Sequence, residues 1–123
     1  MDKIITNNVK VREFYKDRYD ILFIEGSYGD VLSKVRDLVH KGCVILTHPL
    51  SGSVKPAETP FESVVVSDCR GKLHYESLEL IEHAVDTFKK FSDMKGNIRK
   101  SYTEDILNDF RSIDFSLIYS ALR

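Results

Sequence analysis

The residues best able to do chemistry lie in one stretch, His48-Pro49-Leu50-Ser51-Gly52-Ser53-Val54-Lys55-Pro56, which runs on through Glu58-Thr59 to Pro60. His48 follows an apolar run and precedes a proline, so it is expected to project from the edge of a sheet, where an imidazole can act as a general acid or base. Ser51, Gly52, Ser53 and Lys55 bring two hydroxyls, a flexible backbone and a cation, a set suited to wrapping a phosphate or carboxylate. Two shorter turns, Thr6-Asn7-Asn8 and Glu25-Gly26-Ser27-Tyr28-Gly29, place polar side chains and backbone N–H groups near helix starts, where unpaired amides favour an anion. The candidate ligand-binding residues are therefore Asn7, Asn8, Gly26, Ser27, His48, Ser51, Gly52, Ser53 and Lys55, with His48 the candidate for catalysis.

Plainer readings stand beside these. Gly26 and Gly29 can simply allow a tight strand-to-helix turn, the serines can satisfy local backbone groups in a solvated loop, and His48 can cap its own turn. Spacing supplies no Ser/His/Asp partner for His48. The glycines complete neither a G-x-G-x-x-G fingerprint nor a P-loop, so no nucleotide cofactor is expected. His40, His48, His74, His83, Cys43 and Cys69 are scattered without ligand spacing, and no metal is expected.

The chain has 123 residues, 42% of them hydrophobic, and 18 basic against 19 acidic side chains leave a formal charge of -1. One domain spanning residues 1–123 is expected, large enough to bury a core without staples. The balanced charge lacks the basic footprint of backbone-driven nucleic-acid binding. No apolar run is long enough to span a bilayer and no secretory leader is evident at Met1, so no membrane partner and a cytoplasmic location are expected. Cys43 and Cys69, with neither C-x-x-C spacing nor a repeating framework, read as reduced thiols.

The elements that must position these residues follow from periodicity. Lys3–Thr6, Asp20–Glu25, Cys43–Thr47 and Phe61–Ser67 read as four strands. A helix from Val9 follows Asn7-Asn8, and a firmer one follows Ser27 with Val31, Leu32, Val35, Leu38 and Val39 on one face and Gly42 as its stop. Leu78, Ile81, Ala84, Val85, Phe88 and Phe91 mark a third helix. Ser101 and Glu104 form a capping box for a fourth, whose apolar stripe reads Ile106, Phe110, Ile113, Leu117 and Ala121. The predicted architecture is α/β: a small, open, mainly parallel four-stranded sheet, order 2-1-3-4, with flanking helices and a C-terminal helical hairpin on one face. The helix-free link into strand four favours an antiparallel direction for it. Ligands in such sheets sit at the carboxyl edge, where the three polar loops converge. Phe115 falls off the final helix's stripe, and a joint patch with Tyr119 would make a homodimer through that helix.

The run Leu46-Thr47-His48-Pro49-Leu50-Ser51-Gly52-Ser53-Val54-Lys55-Pro56 with Glu58-Thr59-Pro60, the opening Ile4-Ile5-Thr6-Asn7-Asn8 and the turn Phe23-Ile24-Glu25-Gly26-Ser27 resemble the GrdX family. That resemblance implies association with the selenium-dependent glycine, sarcosine and betaine reductase systems of anaerobic bacteria, without a defined activity. The resulting expectation is an accessory or binding protein that holds a small anionic metabolite or a reductase component at the sheet's carboxyl edge. The alternative is a small enzyme acting on a phosphorylated or carboxylated substrate with His48 as acid/base. No cysteine lies in the matching loop, so thiol exchange by that loop is not expected.

Overall fold

The computed structural model describes residues 1–50, 59–94 and 102–122. Its elements are β1 (Lys3–Thr6), α1 (Val9–Tyr15), β2 (Asp20–Phe23), α2 (Tyr28–His40), β3 (Ser63–Val66), α3 (Tyr75–Met94) and α4 (Glu104–Leu122). Local chemistry explains most of the boundaries. Asn8 caps α1 by accepting the Lys10 N–H, and Ser27 and Asp30 form a reciprocal capping box on α2. Gly42, at φ +95°, ends α2 in the left-handed region that glycine adopts without strain. Thr103 accepts the Ile106 N–H at the start of α4, while Ser101, the cap expected from sequence, lies outside the described residues.

Three strands form the sheet, in the order β2-β1-β3, with β2 parallel and β3 antiparallel to β1. This corrects the expected four-stranded, mainly parallel sheet. The run Cys43–Thr47 forms no ladder strand. It touches the outer side of β3 through one bridge, Ile45 to Val66, and through the Leu46 N–H to Val65 O and Ser67 N–H to Val44 O bonds. Its remaining backbone groups go elsewhere: the Val44 and Ile45 N–H groups donate to the hydroxyls of Ser67 and Ser77, and the Val65 N–H takes Thr47 Oγ1. Serine and threonine hydroxyls here substitute for a strand partner. The segment expected as strand four is thus β3, inserted between Cys43–Thr47 and β1, and antiparallel as a helix-free connection favours.

Strand alternation sends side chains into two cores. Ile5, Val64 and Val66 face α2 and α3, meeting Val31, Leu32, Val35, Val39, Ile81 and Ala84. Ile4 and Val65 face α1 and α4, meeting Val11, Tyr15 and Ile118. Each fully buried aliphatic side chain contributes about 1.5–3 kcal/mol. The last two helices therefore cover opposite faces, α3 packing on α2 and α4 on α1 and β3. The hairpin on one face is not formed.

The stripe of α4 is also displaced from its expected phase. Ile106 and Ile113 are each 42% exposed, whereas Asp114 and Ile118 are buried and Phe115 packs into the chain's own core. A carboxylate occupies a core-facing position, and a search for apolar periodicity passes over it. Phe115, half-buried, lies tilted against Tyr15 and stacks on Tyr119, which is itself 45% exposed.

Cys43 and Cys69 are joined in a disulfide across 26 residues, which corrects the reading of both as free thiols. The pairing follows from two turns that run backbone against backbone. A Cβ on Gly42 would lie 2.6 Å from Gly71 N, so the absence of a side chain there lets the turn after α2 meet the turn after β3. No C-x-x-C spacing is involved, and so no local motif announces the bond. Closing a loop of this length restricts the unfolded chain by about 3.5 kcal/mol. Adding a thiol reductant should lower the urea midpoint of the wild type and leave Cys69→Ser, already lowered, unchanged. A wild type indifferent to reductant would contradict the pairing.

Candidate functional site

Two consecutive buried amides, Asn7 and Asn8, stand at the carboxyl end of β1. Asn7 Nδ2 donates to Gly26 O at 3.0 Å and to Pro60 O at 2.8 Å, and its Oδ1 accepts the Glu62 N–H at 3.0 Å. One side chain thereby ties the turn after β2 to the chain entering β3. Asn8 turns to the other face of the sheet, where Nδ2 donates to Arg111 O and to Asp114 Oδ2 on α4.

The parallel β1 and β2 end at this edge, and the antiparallel β3 begins there, since Thr6 pairs with Ser63. Between their loops lies a groove of about 280 Å3, lined by Asn7, Gly26, Ser27, Tyr28, Thr59, Pro60, Phe61, and by Phe88 and Ser92 of α3. Gly29 shapes its wall. A Cβ at Gly29 would sit 2.8 Å from the Phe88 ring, which instead stacks on Tyr28 with centroids 5.2 Å apart. None of the nine lining residues carries a charge.

Of the sequence-derived candidates, Asn7, Gly26 and Ser27 meet in this groove, and Asn8 is buried behind it as a cap and anchor. His48 is exposed, and its Nδ1 accepts the Leu50 N–H at 3.0 Å, so the ring caps its own turn. The neighbouring Pro49 does reach the site, its carbonyl lying 3.5 Å from the Tyr28 hydroxyl. Ser51, Gly52, Ser53 and Lys55 lie outside the described residues.

Sequence reasoning missed a buried acid pair beneath the groove. Glu62, Asp114 and Tyr28 wall a hollow of about 20 Å3, room for about one water molecule, and the hollow shares Tyr28, Thr59 and Phe61 with the groove. Burial pushes the Glu62 carboxyl well above its ordinary value; the neighbouring Asp114 adds to this, while bonds from the Tyr28 hydroxyl and Ser63 N–H oppose it. Burial likewise raises Asp114, against the bonds it accepts from Asn8 and from Ser63 Oγ at 2.8 Å. Tyr28 is raised by burial and by the Glu62 charge, and stays a phenol that donates. Ser63 Oγ also shares a 2.6 Å bond with Thr6 Oγ1, so every buried side-chain polar atom among the described residues has a partner. Two like charges in one buried place favour keeping a proton between them, which gives the pair the makings of a proton store. The sequence carried no signal for it, because the expected stripe of α4 set Ile113, not Asp114, toward the core.

The shift has a sign. A carboxyl raised on folding holds a proton that the unfolded chain releases above its ordinary value, 4.5 for Glu62. Stability is then complete below that pH and declines as the pH rises toward the folded value, by up to about 1.4 kcal/mol for each pH unit crossed. Urea titrations from acid to mild alkali should show this decline in the wild type and a shallower one in Glu62→Gln, which keeps the shape but has no proton to lose. Equal slopes would contradict a raised Glu62.

Comparison with curated proteins finds no match, and comparison with solved structures finds none either. The family model described as GrdX-like protein matches residues 3–123, nearly the whole chain and all of the groove. The chain belongs to the GrdX-like family.

Proposed function

We propose that this GrdX-like protein is a cytoplasmic accessory protein of a glycine, sarcosine or betaine reductase system, and that it binds a small anionic metabolite, or the anionic tip of a reductase component, in the carboxyl-edge groove. The reductase setting is what the family resemblance implies. The observation that supports the site is the groove itself: an uncharged hollow whose polar lining includes the hydroxyls of Ser27, Thr59 and Ser92, at the start of α2. Hydroxyls can donate to carboxylate or phosphate oxygens, and none of the lining residues carries a carboxylate, the Asp30 carboxylate at the same helix start being engaged by the Ser27 N–H. Lys55 with Ser51, Gly52 and Ser53, read from sequence as an anion-holding run, belongs to the same proposal and would contribute the cation. In the enzyme alternative His48 would act as acid/base through Nε2, since its Nδ1 accepts the Leu50 N–H.

A ligand confined to the native state at a hundred times its dissociation constant stabilises by about 2.7 kcal/mol. Thermal unfolding with glycine, sarcosine, betaine, acetate and acetyl phosphate should show a rise for at least one anion. Ser92→Trp, filling the groove from α3, should abolish that rise while keeping the unliganded midpoint. No shift with any compound, together with no reductase component captured from an expressing anaerobe, would overturn the proposal. A shift that persists in Ser92→Trp would remove the groove as its location.

A further inference from the structure

The disulfide between the chain's two cysteines has unlike ends. Cys43 is fully buried among the apolar side chains that face α2 and α3, whereas Cys69 lies exposed on the turn after β3. A nucleophile arriving from solvent therefore meets one sulfur and not the other. Exposed Lys41, Arg70 and Lys72 stand on the two turns that the bond joins. Asp68, the acid beside Cys69, is engaged by the Met1 ammonium at 2.9 Å and by Lys3 at 3.4 Å, so the surroundings favour an approaching anion. The two turns are also held together without the bond. The Val44 N–H donates to Ser67 Oγ at 2.9 Å, the Ser67 N–H to Val44 O at 2.8 Å and the Arg70 N–H to Gly42 O at 3.4 Å. Breaking the sulfur–sulfur bond leaves all three in place, which keeps both thiols within reach to close again.

We propose that Cys43 and Cys69 are a reversible thiol–disulfide exchange couple, in which Cys69 is the sulfur that exchanges, Cys43 is the resolving thiol and small thiols are the co-substrate. A thiolate attacks Cys69 Sγ and forms a new disulfide to it. The Cys43–Cys69 bond breaks as this happens, and its electron pair leaves on Cys43 Sγ, which takes a proton from water because burial disfavours the charged form. A second thiolate attacks the outer sulfur of the mixed disulfide, giving the small disulfide and releasing Cys69 as a thiolate. Two electrons pass from the pair of thiols to the protein, and the same steps run backward when a small disulfide is the oxidant. Neither cysteine lines the carboxyl-edge groove or belongs to the run from His48 to Pro60, so this activity stands apart from the binding reading.

Reduction of the native wild type by dithiothreitol, stopped by alkylation and followed by mass spectrometry, tests access to the bond. Exchange through the folded state should change by less than about twofold between zero and about 1 M urea, below the unfolding midpoint. A bond reached only by unfolding would be reduced about tenfold faster in that urea, and this result would overturn the proposal. The reduced chain should keep its circular dichroism spectrum; its loss would show that the couple cannot cycle in the folded protein. With oxidised glutathione, Cys43→Ala should hold one glutathione on Cys69, and Cys69→Ser should react at Cys43 about tenfold more slowly or less. Reduced wild type should instead re-form its own bond and keep no adduct. Equal rates for the two variants, or a lasting adduct on the wild type, would contradict the roles assigned to the two sulfurs.

Discussion

The fold turns on the two amides that follow β1. Ending a strand at the middle of a sheet leaves backbone groups of neighbouring loops facing one another with little water to satisfy them, and each one left unpaired costs about 1–3 kcal/mol. Asn7 meets three of them at once, the carbonyls of Gly26 and Pro60 and the N–H of Glu62. Asn8 meets the Lys10 N–H and the Arg111 carbonyl and pairs with Asp114. The first amide holds together the walls of the groove, and the second pins α4 across the sheet from it. Apolar packing drives the layers together, but it is non-directional. The amides fix how the loops and α4 meet the sheet edge.

Asp114 shows the cost and use of that arrangement. A carboxyl at the core face of α4 must be hydrogen-bonded or protonated, and it has both Asn8 and Ser63 while its pKa is raised. Ser63 passes the connection to Thr6, and Thr6 accepts the Asn8 N–H, closing a ring of bonds at the end of β1. Glu62 extends the ring to Tyr28 and hence to the groove. The acid pair and the contents of the groove are thus separated by one side chain, and a ligand that displaced Tyr28 would be felt by Glu62.

What was legible in the sequence was what neighbouring residues decide. The Ser27 cap, the five-residue stripe of α2, the Gly42 stop and the stripe of α3 are all written in spacings of one to eight residues, and each is found in the structure. What was not legible depends on distant partners. Cys43–Thr47 has the composition of a buried strand, yet β3 takes the place beside β1, because strand composition does not name a neighbour. The Cys43–Cys69 bond rests on two turns meeting, and the phase of α4 rests on an aspartate whose partners lie 51 and 106 residues away. At the site, the convergence of Asn7, Gly26 and Ser27 was readable from strand direction. Glu62 and Asp114 were not, since nothing in their own neighbourhoods marks them as buried.

The central claim, that polar pins at the end of β1 set how the elements meet, is tested most directly by a double-mutant cycle on Asn8 and Asp114. Unfolding free energies of the wild type, Asn8→Ala, Asp114→Ala and the double variant give the coupling between the two residues. A coupling of about 1 kcal/mol or more is expected for a buried, charge-assisted pair, with the double variant losing less than the two single losses together. Additive losses, with coupling near zero, would mean that α4 is held by its apolar contacts alone and would contradict the account.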